Sequence, residues 1–369
     1  MGLLRFLLAM FVLAGHSGNT SSIQFMTGQT AVQTFYIISG FYMSLILNEK
    51  YVKQPNAYSL FLSNRMLRLF PIYWVVLIAV ALFSVSFGIA SHSHDRLALA
   101  IYSTVQFTPF SFIYLFFTNL FLIGQDAVMF MGINPQTGHF FFTSDFWQTK
   151  PELHKFLLIP QAWTLALELL FYLVAPLLVR RSRPVVWLVI GLSFLLRLFL
   201  YNRLNLTNDP WTYRFFPTEI TFFLLGTLAY TAYRRVREKT VPAWLQPTLF
   251  VAVIFTTLIY AFLPSGKMVV SPFMYKEIGY FSLIVLSIPY LFNFSKNYNL
   301  DNQIGELSYP IYISHMFVIL FIHRAMPFVL FNGWFIALAT ILFSYLLNRF
   351  VAAPMEKIRQ RRVRQPVAA

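Results

Sequence analysis

The sequence predicts an all-α polytopic membrane protein, with about ten transmembrane helices in a single integral-membrane domain over residues 1–369. Of its residues 58% are hydrophobic, 19% are aromatic and only 11% are charged, which is far more apolar than a soluble domain. Apolar stretches of about 20 residues, long enough to cross a bilayer, recur from end to end. The chain has no cysteine, which excludes disulfides and thiolate chemistry.

The apolar stretches define the predicted helices in order. The first follows Arg5 and therefore also fits a short secretory signal peptide, but we expect an uncleaved helix because nothing like a soluble mature domain follows it. A segment near 99–124, which contains Pro109, is interpreted as re-entrant or interfacial, since a full crossing there would reverse every later helix. The ten predicted crossings lie near residues 3–19, 30–48, 69–89, 160–179, 185–202, 216–233, 246–263, 276–293, 309–331 and 333–352.

The net charge of +15 raises the possibility of a nucleic-acid partner, but its distribution argues against one. If ten helices cross and the N-terminus is cytoplasmic, most of the 28 lysines and arginines fall on the cytoplasmic side, as the positive-inside rule requires. The sequence thus predicts a multi-pass protein of the cell's inner (plasma) membrane with both termini in the cytoplasm. The basic tail, about 354–369, would contact anionic membrane lipids.

One charged residue, Glu168, lies within the apolar run from Phe156 to Val179. An ionisable side chain at membrane depth costs a few kcal/mol on insertion scales, about 2.5 to 3.5, and by default marks a functional site. The structural alternative is a buried hydrogen bond between helices.

The first helix carries a second pair of polar residues, Arg5 and His16. Their spacing corresponds to three helical turns plus about 20°, so both side chains point the same way, about 16.5 Å apart along the axis. A cation at one end and a titratable base at the other fit an elongated substrate. The structural alternative for His16 is an imidazole bonded to a neighbouring carbonyl.

Five phrases together resemble the membrane-bound acyltransferase 3 family, whose members O-acylate bacterial surface and secreted glycans. The resemblance covers nearly the whole chain, and its one departure, Thr164 in place of a serine, keeps the hydroxyl. The phrases are Arg5 with His16, residues 35–41 with Ser39 and Gly40, residues 65–74 with Arg65 and Arg68, residues 163–172 from Trp163 through Glu168 to Tyr172, and residues 308–315 ending at His315.

The resemblance implies transfer of an acyl group, usually acetyl, from cytoplasmic acyl-CoA to a hydroxyl of an extracytoplasmic glycan or lipid-linked saccharide. Acetyl-CoA is then the expected donor and no metal is expected. Arginine binds phosphate oxygens bidentately, so Arg5, Arg65 and Arg68 are the expected ligands of the coenzyme A head. Arg65 and Arg68 also fit ordinary positive-inside residues.

Sugar hydroxyls are very weak acids, so their attack on a thioester needs a base within hydrogen-bond reach. We expect His16 to be this general base, with Glu168 as its orienting partner or as a second acid-base group. A histidine acyl-enzyme is a chemical alternative. Trp163, Tyr172 and Ser39 are expected to build the wall of the site, although Trp163 and Tyr172 also suit the aromatic belt at the membrane surface.

Other polar residues receive less specific interpretations. Gly40, together with Ser39, also suits close helix packing, and His315 suits polar packing in its helix. Glu219 and Glu277 are unassigned candidates for acceptor contact. The residues from His92 to Asp95 resemble a metal site only superficially, because one exposed loop does not hold its side chains in a fixed geometry.

A different class of function, a transporter or flippase for a glycan or lipid, would also use ten helices and buried charge. Common transporter folds show internal repeats with paired broken helices, and the sequence shows no convincing repeat.

Overall fold

The computed structural model of the chain describes residues 1–17, 26–52, 54, 56–91, 99–266, 272–326 and 333–364. It is 76% helical and has almost no sheet. Its only described strands, β1 (Met131–Ile133) and β2 (Phe140–Phe142), form a short antiparallel hairpin in which Met131 pairs with Phe142. The α-helices are α1 (Gly2–His16), α2 (Gly28–Glu49), α3 (Ala57–Ser91), α4 (Pro109–Phe121), α5 (Trp163–Leu178), α6 (Arg183–Asn202), α7 (Phe216–Val236), α8 (Leu245–Leu258), α9 (Tyr275–Ser295), α10 (Asn299–Glu306), α11 (Ser308–Ala325), α12 (Gly333–Leu347) and α13 (Ala353–Arg364).

The predicted all-α membrane architecture is confirmed in its coarse form. Each of the ten predicted segments overlaps an α-helix, and 7 helices of the described chain are long and apolar enough to cross a membrane. The helices α1, α4 and α8 are apolar but shorter, with 15, 13 and 14 residues. Ten crossings and the orientation of the termini therefore remain predictions.

The segment near 99–124 contains α4, which begins at Pro109. Proline is favoured in the first turn of a helix, where its missing N–H has no partner to lose. Thr108 caps this turn, since its side chain accepts a hydrogen bond from the N–H of Ser111. The proline thus starts a helix here and does not interrupt one.

Helix α2 lies at the centre of the bundle and packs most extensively against α7. A Cβ atom on Gly40 would lie 1.8 Å from the carbonyl oxygen of Phe223, and one on Gly226 would lie 2.0 Å from that of Ile37. The two glycines therefore let the backbones of α2 and α7 touch, as small residues do between membrane helices. The expected packing role of Gly40 agrees with this geometry.

The start of α1 is held by α10. The N-terminal ammonium of Met1 lies 2.7 Å from the carboxylate of Asp301, which also accepts hydrogen bonds from the N–H groups of Gly2 and Leu3. A carboxylate suits the unpaired N–H groups at a helix N-terminus. This contact fixes the depth of α1 in the bundle and, with it, the position of Arg5.

We expect Gly40→Ala to destabilise the protein by about 1 to 3 kcal/mol, because the added methyl group forces the two helices apart. Gly191→Ala in α6 is the matched control, since a Cβ atom at that position would meet no atom of another helix within 4 Å. Thermal unfolding of both purified variants in detergent checks this. Equal unfolding temperatures for Gly40→Ala and wild type would contradict the close packing.

Candidate active site

A cavity of about 490 Å³ opens between α1, α2, α3, α5, α10, α11 and α13. Along α2 it extends from Val32 to Lys50, about 27 Å of helix at 1.5 Å per residue. Six of the eight residues expected at the site line this cavity: Arg5, Ser39, Arg65, Arg68, Glu168 and Tyr172.

Glu168 is held in the cavity wall by two hydroxyl groups. The hydroxyl of Ser39 on α2 donates to its Oε1 at 2.7 Å, and that of Tyr172, one turn further along α5, donates to the same atom at 2.5 Å. Its second carboxylate oxygen receives no hydrogen bond from the described residues. Glu168 is therefore both a link between two helices and a polar group on the cavity surface, and Ser39 serves this link and not close packing.

The end of the cavity near Lys50 is strongly basic, and we call Lys50, Arg65, Arg68 and Arg359 the basic end. Arg65 is buried, and its Nε has no hydrogen-bond partner in the described part of the chain. Arg68 lies 4.0 Å from the carboxylate of Glu356. Unpaired, part-buried guanidinium N–H groups are donors suited to phosphate oxygens.

Arg5 lines the cavity from α1. Its guanidinium donates to the hydroxyl of Ser308 at 2.9 Å and lies 5.9 Å from the ring centre of Tyr42. Neither neighbour carries a negative charge, so the positive charge of Arg5 remains available to an anion in the cavity.

His16 lies outside this cavity, at the opposite end of α1. Its Nδ1 is 2.9 Å from the carbonyl oxygen of Val12, which can only accept, so Nδ1 carries the hydrogen. In the neutral ring Nε2 then has a free lone pair, the form that a general base requires. The carbonyl contact expected for a purely structural histidine is thus present, but it leaves the other nitrogen free.

His315 on α11 is the neighbour of His16, and we call these two residues the histidine pair. Their ring centres are 5.1 Å apart. His315 is fully buried, its Nδ1 contacts the carbonyl oxygen of Tyr312 at 2.7 Å, and its Nε2 has no partner among the described residues. In the neutral form, both rings therefore carry the hydrogen on Nδ1 and leave Nε2 unprotonated.

Two aromatic rings line the cavity near the histidine pair, and we call Phe35 and Tyr312 the ring partition. Both line the cavity, and their ring centres are 6.3 Å apart. The ring centre of Tyr312 is 6.0 Å from that of His315. Its hydroxyl accepts from Thr164 at 2.9 Å and donates to the carbonyl of Gln161 at 3.1 Å. The hydroxyl of Thr164 thus fixes the partition.

Two expectations for the site are not supported by the contacts. Glu168 is bonded to Ser39 and Tyr172 and not to His16, because it lies on the cavity and His16 does not; its role as an orienting partner therefore has no contact behind it in the described residues. Trp163 packs against Arg214, whose guanidinium carbon lies 4.2 Å from the centre of the Trp163 ring. Trp163 is not part of the cavity lining.

Glu219 and Glu277, the two candidates for acceptor contact, are bound to other residues of the protein. Glu219 is fully buried and pairs with Arg197 at 2.5 Å, with Gln33 donating to both of its oxygens. Glu277 accepts from the N–H of Met274 at 2.8 Å at the start of α9. Both carboxylates stabilise helix contacts, and neither is open to an acceptor. The run from His92 to Asp95 lies outside the described residues.

Sequence reasoning missed several residues that line the cavity. They come from helices far apart in the chain, so no local spacing relates them, although Ser308, Tyr309 and Tyr312 fall within the phrase 308–315. The missed residues are Tyr42, Lys50, Glu306, Ser308, Tyr309, Tyr312, Glu356 and Arg359.

The segment between α4 and α5 contains a partly buried titratable group. His154 packs against the rings of Phe146 and Trp147, with ring centres 5.2 and 5.0 Å away. Burial lowers the pKa of His154 to about 4, although the carboxylate of Glu152 favours the charged form from 3.5 Å. Folding therefore keeps this imidazole neutral at pH values where an exposed histidine is protonated.

Comparison with known proteins gives one match. The sequence model of a family described as an acyltransferase domain matches residues 1–349. No curated protein and no solved structure matches the chain.

We expect acid to destabilise the wild type more than a His154→Phe variant. Between pH 6.5 and 4 the unfolded chain binds a proton at His154 and the folded protein does not, so the free energy of unfolding decreases as the pH is lowered, by at most about 3 kcal/mol. Unfolding temperatures measured from pH 7.5 to 4.5 check this. The exposed His139, changed to Gln, is the control and should follow the wild type; an equal acid response of His154→Phe would refute the assignment.

Proposed function

The chain belongs to the acyltransferase 3 family, and on that premise we propose that this membrane acyltransferase is an O-acyltransferase that uses acyl-CoA. The acyl group, acetyl in our proposal, passes to a hydroxyl of an extracytoplasmic glycan or lipid-linked saccharide. The protein would lie in the inner membrane with both termini in the cytoplasm, as its charge distribution favours.

The observation that carries the proposal is the cavity that leads from the basic end, past Glu168, to the ring partition. Coenzyme A has a pyrophosphate and a ribose phosphate at one end and a long, mostly uncharged pantetheine arm at the other. The unpaired guanidinium N–H groups at the basic end suit the phosphates. The narrow path along α2 suits the arm, which would point the thioester toward the histidine pair.

The reaction balances with His16 as the base. Nε2 of His16 accepts the proton of the sugar hydroxyl as the hydroxyl oxygen attacks the thioester carbonyl. The carbon–sulfur bond then breaks, and the proton passes from His16 to the departing sulfur, which leaves as the free thiol. The products are an acylated sugar and coenzyme A, with no net change in protons.

Glu168 takes a second role in this proposal. The carboxylate lies along the path of the pantetheine arm, where its free oxygen accepts hydrogen bonds from the amide N–H groups of that arm. Ser39 and Tyr172 hold the carboxylate in place for this contact.

The ring partition separates the donor cavity from His16. A thioester in the cavity reaches His16 only when the Tyr312 ring turns aside, which breaks its hydrogen bond with Thr164. In our proposal this movement accompanies binding of the acyl donor, so that the thioester meets the base only once the donor is bound.

The test of the proposal is release of coenzyme A. Purified wild type is given acetyl-CoA and an envelope-glycan extract, and the free thiol is followed with a colorimetric reagent that finds no cysteine in the protein. We expect His16→Ala to slow release about 100-fold or more, the usual contribution of a general base. His139→Ala, at an exposed loop position, is the control and should match the wild type.

Equal rates for wild type and His16→Ala would remove His16 from the mechanism. Absence of thiol release from the wild type, with acetyl-CoA bound, would contradict acyl transfer from this donor and favour a transporter or flippase instead.

We also expect Arg65→Ala to weaken coenzyme A binding at least about tenfold, because a charge-assisted hydrogen bond to phosphate contributes about 1.5 to 3 kcal/mol. Arg183→Ala removes an exposed arginine at the start of α6 and is the matched control. Isothermal titration of coenzyme A into each purified variant measures the difference. Unchanged affinity of Arg65→Ala would make this arginine an ordinary positive-inside residue.

A further inference from the structure

The helix α13 begins at Ala353, beyond the residues that the family match covers. It is fixed to the start of α3 by side-chain bonds. Arg362 donates to the side chains of Asn64 at 3.0 Å and Ser63 at 2.8 Å, and Gln54 donates to the carbonyl of Val363 at 3.0 Å. Most of the segment predicted as a basic tail is therefore a docked helix.

One face of α13 points into the cavity. Glu356 and Arg359, three residues apart, line it, and Arg359 is only 8% exposed. Lys357 and Arg361 on the other face are exposed. Those two fit the expected contact with anionic lipid, whereas Arg359 is turned away from the surface.

Three guanidinium groups and two carboxylates, those of Glu356 and Glu306, line this end of the cavity. Glu356 pairs with Arg359 on its own helix and lies 4.0 Å from Arg68, and Arg65 lines the same end of the cavity. The Nε atoms of Arg65 and Arg359 are buried and have no hydrogen-bond partner among the described residues. Two carboxylates cannot neutralise three cations, so the cluster carries excess positive charge and unused donors, the features of a phosphate site.

We propose that α13 completes the coenzyme A site and that Arg359, with Arg65 and Arg68, binds the ribose phosphate of the nucleotide head. The inference rests on the proposed function. The ribose phosphate is part of the nucleotide, at the opposite end of coenzyme A from the thioester, and the basic end lies at the opposite end of the cavity from the ring partition. Glu356 takes the place of the phosphate as counter-ion until the ligand displaces it.

The experiment compares two ligands on the purified full-length protein in lipid-free detergent: coenzyme A, and coenzyme A that lacks the ribose phosphate. Isothermal titration should show that Arg359→Ala weakens binding of coenzyme A at least tenfold and barely changes binding of the dephosphorylated form. Glu356→Gln, which removes the competing charge, should tighten coenzyme A binding severalfold. Arg361→Ala is the matched control on the same helix and should equal the wild type for both ligands.

Several results would overturn the proposal. Wild-type affinity in Arg359→Ala, equal weakening toward both ligands, or a loss of the same size in Arg361→Ala would each remove Arg359 from the phosphate site while leaving acyl-CoA use intact. A fall in affinity on Glu356→Gln would contradict the counter-ion role. If Arg359→Ala no longer changes the affinity for coenzyme A when the protein is in phosphatidylglycerol nanodiscs, the site holds a lipid headgroup instead. Failure of the wild type to bind coenzyme A at all would overturn the proposed function itself.

Discussion

An ionisable group inside a bundle of apolar helices must be held by polar partners from neighbouring helices, because the bilayer offers none. Glu168 meets this requirement through Ser39 on α2 and Tyr172 on α5. The two bonds place a carboxylate on the surface of a cavity and tie together the helices that form its wall. The rest of the cavity is arranged around this link, with the basic end on one side and the ring partition on the other.

One face of helix α2 packs against α7, and another face lines the cavity. Gly40 and its partner Gly226 bring α2 against α7, while Ser39, the next residue along, turns toward Glu168. Further along α2, Gln33 joins the buried pair of Glu219 and Arg197. Removing one member of such a pair strands a buried charge and costs several kcal/mol, about 3 to 5. The polar contacts of α2 thus hold the helix at one depth and one rotation, which positions the cavity.

Much of the fold and part of the site could be predicted from the sequence. Apolar segments predict helices because a membrane helix satisfies its own backbone, and Glu168 stood out as an isolated charge in such a segment. Contacts between side chains of different helices leave no local pattern, which is why Arg197, the buried partner of Glu219, was not recognised. The tail gave a weak signal of its own, since Glu356, Arg359 and Val363 have helical spacing and face inward. Because the tail was interpreted from its charge alone, this inward-facing side was not predicted.

The ring partition also has a consequence for the membrane as a barrier. If the cavity continued from the basic end to the exposed ring of His16, it would offer protons and small ions an aqueous passage. Phe35 and Tyr312 interrupt that passage with two large rings, and Thr164 and Gln161 hold the second ring in place. In the proposed mechanism, the same rings that keep donor and base apart would also limit the passage of protons and small ions through the protein.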